Sequence, residues 1–150
     1  MKSKAIFLTA ALSLAPLAAS AADASPTHLP VPPRPGVTVA PPFSAAVWAG
    51  NTLYISGMTD GGAALGGTPG DAAKRVLDSL KRAVEAGGLT MDDLTWVQVF
   101  SSDLADYQAF NDLYRTYFKG PLPARAYLGV DHLLGNARFE IMGIAARRPK

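Results

Sequence analysis

Residues 68–88 carry the strongest local signal in this chain of 150 residues, that of a capped amphipathic helix. The motif Thr68-Pro69-Gly70-Asp71 supplies an N-cap hydroxyl, a proline at the first helical position and an acidic residue three positions after the cap. The apolar residues that follow recur at helical spacing: Ala73, Val76, Leu77, Leu80 and Val84. Because only one face of this helix is apolar, that face has to pack on another element.

Strand patterns lie on both sides of this helix, and a second helix is predicted from about Asp103 or Asp106 to Gly120. The predicted strands are residues 43–50, 51–57, 93–102, 124–130 and 137–147, and the sequence allows for a further strand near residues 37–40. The first two form a hairpin with its turn at Gly50-Asn51. This order predicts an α+β fold, a mixed β-sheet with two helices packed on one face.

The last three predicted strands are apolar at both alternation phases, as in "WVQVF", "YLGV" and "FEIMGIA". If both helices cover one face of the sheet, the opposite apolar face must meet water or another subunit. We therefore expect a homo-oligomer in which the sheets of different subunits face each other.

The first 22 residues are typical of a cleaved secretory signal peptide, with Lys2 and Lys4 before an apolar run and Ala19-Ser20-Ala21 at its end. Residues 23–36 are rich in proline, which predicts an extended, mostly disordered leader before a globular domain at residues 37–150. The expected location is periplasmic or secreted, with no attachment to the membrane once the signal is cleaved.

The charge balance argues against nucleic acid as a partner. Loss of Lys2 and Lys4 with the signal peptide reduces 14 basic residues to 12, against 12 acidic residues. A formally neutral mature chain has little electrostatic attraction for nucleic acid or anionic membranes. The chain has no cysteine, so neither a disulfide framework nor a cysteine nucleophile is available.

Arg125 is an unusual residue for the apolar strand "PLPARAYLGV", because burial of a guanidinium is costly without an anion to bind. Alternation places Arg125 and Tyr127 on one face of that strand. In the last strand, Glu140 shares a face with Arg138, Met142 and Ile144. Two interpretations stay open. In the first, Arg125 and Glu140 form a structural ion pair with each other, or pair separately with Asp131 and Arg138. In the second, Arg125 binds a substrate carboxylate and Glu140 positions a water.

Other kinds of catalytic site find little support. The two histidines, His28 and His132, lie too far apart to suggest a metal site, and we expect neither a metal nor a cofactor. Ser56 lies in "YISGM", without the G-x-S-x-G elbow of a serine nucleophile, although its hydroxyl could still bind a ligand.

Four segments, in order, resemble the RidA/YjgF family of enamine/imine deaminases: "PFSAAVWAGNTLYISG", "VFSSDLADYQAFNDLYRTYF", "PLPARAYLGV" and "FEIMGIA". The resemblance covers about residues 37–148. It implies a chorismate-mutase-like fold and a homotrimer with three clefts between subunits. It also implies hydrolysis of 2-aminoacrylate and related 2-imino acids to 2-keto acids and ammonia, without a cofactor.

The resemblance also assigns roles to individual residues. The arginine that binds the substrate carboxylate falls on Arg125, and the acidic residue that positions the attacking water falls on Glu140. Further substrate-binding positions fall on Phe43, Ser56, Gly57, Asn111 and Tyr127. Two of these depart from the family pattern, because Phe43 replaces a common tyrosine and the large Tyr127 stands where cysteine or threonine is frequent.

These expectations lead to one principal hypothesis and two alternatives. The principal hypothesis is an exported deaminase whose ligand is a small 2-imino or 2-keto carboxylate. The first alternative is a non-catalytic trimeric module that binds small carboxylates, which the departures at Phe43 and Tyr127 keep open. The second alternative is ribonuclease activity, which fits poorly with a neutral mature chain.

Overall fold

The computed structural model describes residues 25–33 and 36–147, so the predicted signal peptide at residues 1–22 lies outside the described residues. The strands are β1 (Thr27–Leu29), β2 (Ala46–Ala49), β3 (Thr52–Thr59), β4 (Leu94–Ser101), β5 (Ala124–Gly129) and β6 (Phe139–Ala146). The helices are α1 (Pro69–Ala86) and α2 (Tyr107–Tyr114). Short 3-10 turns lie at Ala63–Leu65, Met91–Asp93, Leu104–Asp106, Arg115–Tyr117 and Leu134–Asn136.

The described strands form one mixed sheet in the order β1-β2-β3-β6-β4-β5. The β4–β5 pair is parallel and the other neighbouring pairs are antiparallel. Both helices pack on one face, where Val97, Val99 and Ile141 are fully buried. The predicted α+β fold with two helices on one face of a mixed sheet is therefore confirmed.

Helix α1 forms as its sequence predicts. The backbone N–H of Asp71 donates to the Thr68 hydroxyl at 3.2 Å, and the backbone N–H of Thr68 donates to the Asp71 carboxylate at 2.9 Å. This reciprocal capping box satisfies backbone donors that the first helical turn leaves without partners. The predicted apolar stripe is buried against the sheet, at Ala73, Val76, Leu77, Leu80 and Val84.

The second predicted helix is α-helical only in its middle eight residues, between two 3-10 turns. Asp103 precedes the first turn and accepts a hydrogen bond from the backbone N–H of Ala105 at 2.8 Å. Phe110, Asn111 and Tyr114 are the buried residues of α2. This short helix covers the edge of the sheet at β5.

Two predictions about the N-terminal region are wrong. Thr27–Leu29, placed in a disordered leader, instead forms β1, because the edge of β2 is available and Ala45 N donates to Leu29 O at 2.9 Å. Residues 37–40 form no strand, and Val37 and Val39 are exposed. Apolar character alone does not make a strand where no neighbouring edge accepts the backbone hydrogen bonds.

The end of β3 is connected to the start of β6 by the buried carboxylate of Asp60. Its two oxygens accept hydrogen bonds from the backbone N–H groups of Gly62, Arg138 and Phe139, at 2.8, 2.9 and 3.3 Å. The Asp60 carbonyl in turn accepts a hydrogen bond from Arg75 of α1 at 2.9 Å. These contacts fix the position of the residue that follows Phe139, which is Glu140.

No helix among residues 25–33 and 36–147 is long and apolar enough to cross a membrane.

Candidate functional site

The register of β5 against β4 determines the direction of the Arg125 side chain. Arg125 is paired with Val97 and Tyr127 with Val99 in the parallel β4–β5 ladder. Residues paired across a ladder project to the same face, and both valines are fully buried beneath the helices. Arg125 and Tyr127 therefore project to the face of the sheet that the helices cover.

Glu140 projects to the opposite face. Its neighbours Phe139 and Ile141 are fully buried beneath the helices, whereas Glu140 is half-buried and pairs with Phe100 on the uncovered face, here called the open face. Strand β4 also lies between β6 and β5. An ion pair between Arg125 and Glu140 of the same protomer is therefore excluded.

The guanidinium of Arg125 lies in an aromatic cage. Its Nη2 donates to Asn111 Oδ1 at 2.7 Å. Its Cζ atom lies within reach of four ring centroids, at 4.6 Å from Tyr114, 5.6 Å from Tyr127, 5.8 Å from Phe110 and 6.0 Å from Tyr107. Cation–π attraction to these rings offsets part of the cost of removing the charge from water.

The guanidinium has no carboxylate partner in the part of the chain that the structure describes. No salt bridge forms to Arg125 there, and its Nη1 atom is buried without a hydrogen-bond partner. Arg138 instead pairs with Asp106, at 2.9 Å between Nη1 and Oδ2. The structural ion-pair interpretation thus fails for Arg125, whose free donor calls for an anion from outside the protomer.

The phenols of Tyr114 and Tyr127, next to Arg125, remain neutral at ordinary pH. Burial raises the pKa of Tyr114 to about 12, although the charge of Arg125 acts in the opposite direction. Burial also raises the pKa of Tyr127, with a smaller contribution from the negative charge of Asp106. These two phenols therefore supply no negative charge that would compete with an anionic ligand.

Strand β3 has a β-bulge close to the Glu140 side chain. Ile55 pairs with Gly143 and Met58 with Ile141, so Ser56 and Gly57 together oppose one residue of β6. The Glu140 carboxylate lies so close above Gly57 that a Cβ atom there would collide with its Oε1 atom. Any side chain at position 57 would therefore displace the Glu140 carboxylate from this position.

The open-face residues form a second group around this bulge. Ser56 Oγ donates to Ser44 O at 2.7 Å, and the adjacent Phe43 ring is 54% exposed. We refer to Arg125, Asn111 and Tyr127 as the Arg125 half-site. Phe43, Ser56, Gly57 and Glu140 are the Glu140 half-site. The structure thus places the seven predicted site residues in two groups, on opposite faces of the sheet.

Sequence reasoning missed Tyr107 and Tyr114 of the aromatic cage as site residues. Tyr107, Asn111 and Tyr114 recur at intervals of four and three residues, which places them on one face of a helix. That spacing, combined with an arginine in the neighbouring strand, was the signal available. His28, which the proline-rich composition predicts in a disordered segment, lies in β1 with its ring hydrogen-bonded to Ser44.

Within residues 25–33 and 36–147, no three histidine, cysteine, aspartate or glutamate side chains cluster closely enough to hold a metal ion.

Residues 35–147 match the family model described as endoribonuclease L-PSP. The chain belongs to the RidA/YjgF family. Among curated proteins, it is similar to the 2-iminobutanoate/2-iminopropanoate deaminase of Dermatophagoides farinae, with 37% identity over 69% of this chain and 84% of that protein. The mouse protein of the same name is 35% identical over 72% of this chain and 83% of its own length.

Solved structures of RidA/YjgF proteins share the fold. The product of the E. coli YjgF gene is 33% identical, with a TM-score of 0.64 over 71% of this chain and 89% of that one. E. coli TdcF, solved with bound serine, is 28% identical, with a TM-score of 0.67 over 73% and 91% of the two chains. The α+β, chorismate-mutase-like fold is therefore shown, and the named relatives support imine deamination as the chemistry.

Proposed function

We propose that this RidA/YjgF protein hydrolyses small 2-imino acids, of the 2-aminoacrylate and 2-iminobutanoate type, to 2-keto acids and ammonia. The observation that carries the proposal is the Arg125 guanidinium, held by Asn111 and four aromatic rings with one buried donor unpaired. A 2-imino acid supplies the carboxylate that this donor lacks. The names of the deaminase relatives and the serine bound to TdcF agree with a ligand that has a carboxylate beside a nitrogen-bearing carbon.

The chemistry requires little more than positioning and one proton-transfer group. The imine carbon is electrophilic, so a water held by Glu140 adds to it, forms a C–O bond and transfers a proton through the carboxylate to nitrogen. Glu140 then carries the hydroxyl proton of the tetrahedral intermediate to its amino group, the C–N bond breaks, and ammonia leaves as the C=O bond of the 2-keto acid forms. Each step uses only water and the carboxyl group of Glu140, with Arg125 fixing the substrate.

The active site is completed by two subunits in this proposal. The two half-sites cannot meet within one protomer, because Arg125 and Glu140 lie on opposite faces of the sheet with β4 between their strands. A homotrimer would bring the Arg125 half-site of one subunit to the Glu140 half-site of the next. The open face supports association, because Tyr54 and Leu128 are apolar side chains exposed there at 50% and 41%.

Export is a separate part of the proposal and rests on the first 22 residues. A charged start, a short apolar run and a small-residue cleavage motif support delivery to the periplasm or the medium. Detection of the cleaved N-terminus by mass spectrometry of the expressed protein tests this part.

The decisive experiment generates each imine in situ with an amino-acid oxidase and measures competition between the protein and semicarbazide. We expect the mature protein to accelerate hydrolysis and Arg125→Ala to abolish the acceleration, while both remain folded trimers by size-exclusion chromatography. Arg115→Ala, at an exposed arginine after α2, is the matched control and should retain activity. Full activity of Arg125→Ala would contradict the proposal.

One observation favours the alternative of a carboxylate-binding module. The Arg125 half-site has an unpaired hydrogen-bond donor for an anion, and this donor involves no contribution from Glu140. Titration with 2-oxobutanoate separates the two functions. Binding that depends on Arg125, from a folded trimer that accelerates neither imine, would support the module.

A further inference from the structure

Strand β1 and its residue His28 lie outside the proposed chemistry, yet hydrogen bonds connect them to it. Leu29 O accepts a hydrogen bond from Ala45 N at 2.9 Å. The ring of His28 is hydrogen-bonded to the Ser44 hydroxyl, with 3.0 Å between Nδ1 and Oγ. Both contacts reach the short segment that connects Phe43 to β2, so β1 holds this segment from one side.

The same segment holds Ser56 from the other side. Ala45 O accepts a hydrogen bond from Ser56 N at 3.1 Å, and Ser44 O accepts one from Ser56 Oγ at 2.7 Å. Ser56 is in the bulge with Gly57, over which the Glu140 carboxylate lies. An unbroken series of contacts therefore runs from His28 through Ser44 and Ser56 to the surroundings of Glu140.

This segment has few other restraints. Pro41 and Pro42 precede it and donate no backbone hydrogen bonds, and Phe43 is more than half exposed. Backbone pairing with β1 needs no particular side chain, so the His28–Ser44 contact adds an orientation that pairing alone does not give. Loss of this contact would leave the Ser44 side chain free to rotate. It would also remove one restraint on the residue whose backbone carbonyl accepts the hydrogen bond from the Ser56 hydroxyl.

We infer that His28 is a positioning residue for the Glu140 half-site, acting through Ser44 on Ser56 and the bulge. This inference rests on the proposed function and adds a residue from β1 to it. Displacement of a reacting group by a fraction of an ångström lowers the rate of attack more than it lowers ligand binding. The effect should therefore appear in kcat, while the affinity for a carboxylate, which Arg125 provides, stays nearly constant.

The test compares His28→Ala, His28→Asn and Ser44→Ala with His132→Ala, which removes the other histidine of the chain at an exposed position. We expect His28→Ala to lower kcat about 2- to 10-fold, the range for loss of one hydrogen bond. His28→Asn should retain most of the activity, because its amide can still bond Ser44. The double variant of His28→Ala and Ser44→Ala should lose no more than Ser44→Ala alone.

Hydrogen exchange of the Ser56 amide gives a measurement that does not depend on turnover. It should quicken in His28→Ala and remain unchanged in His132→Ala. A kcat of His28→Ala equal to that of His132→Ala would overturn the inference, as would losses that add in the double variant. If the wild-type protein hydrolyses neither imine, the proposed function fails, and the Ser56 exchange rate alone decides whether His28 positions the bulge.

Discussion

In the Arg125 half-site the guanidinium lies beneath a helix, whereas in the Glu140 half-site the carboxylate lies on the uncovered face of the sheet. The guanidinium is fixed by the protomer's own core, through Asn111 and the rings that pack against Phe110 and Phe139. The Glu140 carboxylate lies beside a bulge, in the space left by the missing side chain of Gly57. The first half-site is thus complete within one chain, and the second depends on what covers the open face.

This difference predicts that changes in the two half-sites will separate binding from turnover. Glu140→Gln should lower kcat by about 10²- to 10⁴-fold, the usual contribution of a general acid–base group, because the amide cannot accept a proton from water. Binding of 2-oxobutanoate, measured by titration, should change little. Glu85→Gln at an exposed helical position is the control, and unchanged turnover in Glu140→Gln would remove Glu140 from the mechanism.

Gly57→Ala should disturb the same half-site without removing any functional group. The new Cβ atom would meet the Glu140 carboxylate and would lie 3.5 Å from Met142 Cε, so the carboxylate must move. A shift of about 1 Å in a reacting group can cost about 10²-fold in rate, and we expect a loss of that order in kcat.

The control for Gly57→Ala is Gly70→Ala in the first turn of α1, where a Cβ would lie 3.7 Å from the Thr68 hydroxyl, an ordinary contact. Steady-state kinetics of both variants at equal protein concentration makes the comparison. Equal activity of the two would mean that Glu140 needs no fixed position.

Tyr114→Phe tests the burial of the Arg125 half-site through the dependence of stability on pH. The pKa of Tyr114 is about 12 in the folded protein, against 10.0 for an unperturbed tyrosine. Between these values the unfolded chain loses its phenolic proton first, so the free energy of unfolding falls as pH rises. The wild type should lose about 2 kcal/mol more than the variant between pH 10 and 12.

Urea unfolding at several pH values measures this difference. A Tyr114→Phe variant with the wild-type slope would show that the phenol is not buried beside Arg125.

Sequence patterns predicted those parts of the fold in which several local signals agree. In α1, the capping box, the proline and the apolar stripe all indicate the same helix, and each lies where expected. Strand β1 shows the opposite case. Three residues are too few to give a pattern, and β1 forms because the edge of β2 accepts its backbone hydrogen bonds. Composition predicted disorder there because proline content does not reveal a neighbouring edge.

The candidate site could be predicted by residue but not by arrangement. Alternation shows which residues of one strand share a face, but it does not show which face the helices cover. The sequence also does not give the order of strands in the sheet, and only the register of β4 with both neighbours excludes an ion pair between Arg125 and Glu140. Tyr107 and Tyr114 followed a helical spacing that also fits simple core packing.

The smallest predicted effect concerns Tyr127, which packs edge-to-face against Tyr107 at 4.9 Å between ring centroids. If this ring limits the space beside Arg125, Tyr127→Ala should favour larger substrates. We expect its ratio of kcat/KM for the imine derived from leucine over 2-iminobutanoate to rise about tenfold, as in hydrophobic pockets enlarged by a few carbons. Tyr127→Phe keeps the ring and should leave the ratio unchanged.

The ratio is the right quantity because Tyr127→Ala also removes one ring of the aromatic cage. A less firmly held Arg125 would lower kcat/KM for both imines together, since both bind through the same carboxylate, and that loss cancels in the ratio. A rise in the ratio therefore reports space alone. An unchanged ratio with reduced activity would show that Tyr127 supports the guanidinium and does not line the substrate pocket. The role of Tyr127 would then be confined to holding Arg125 of the same protomer.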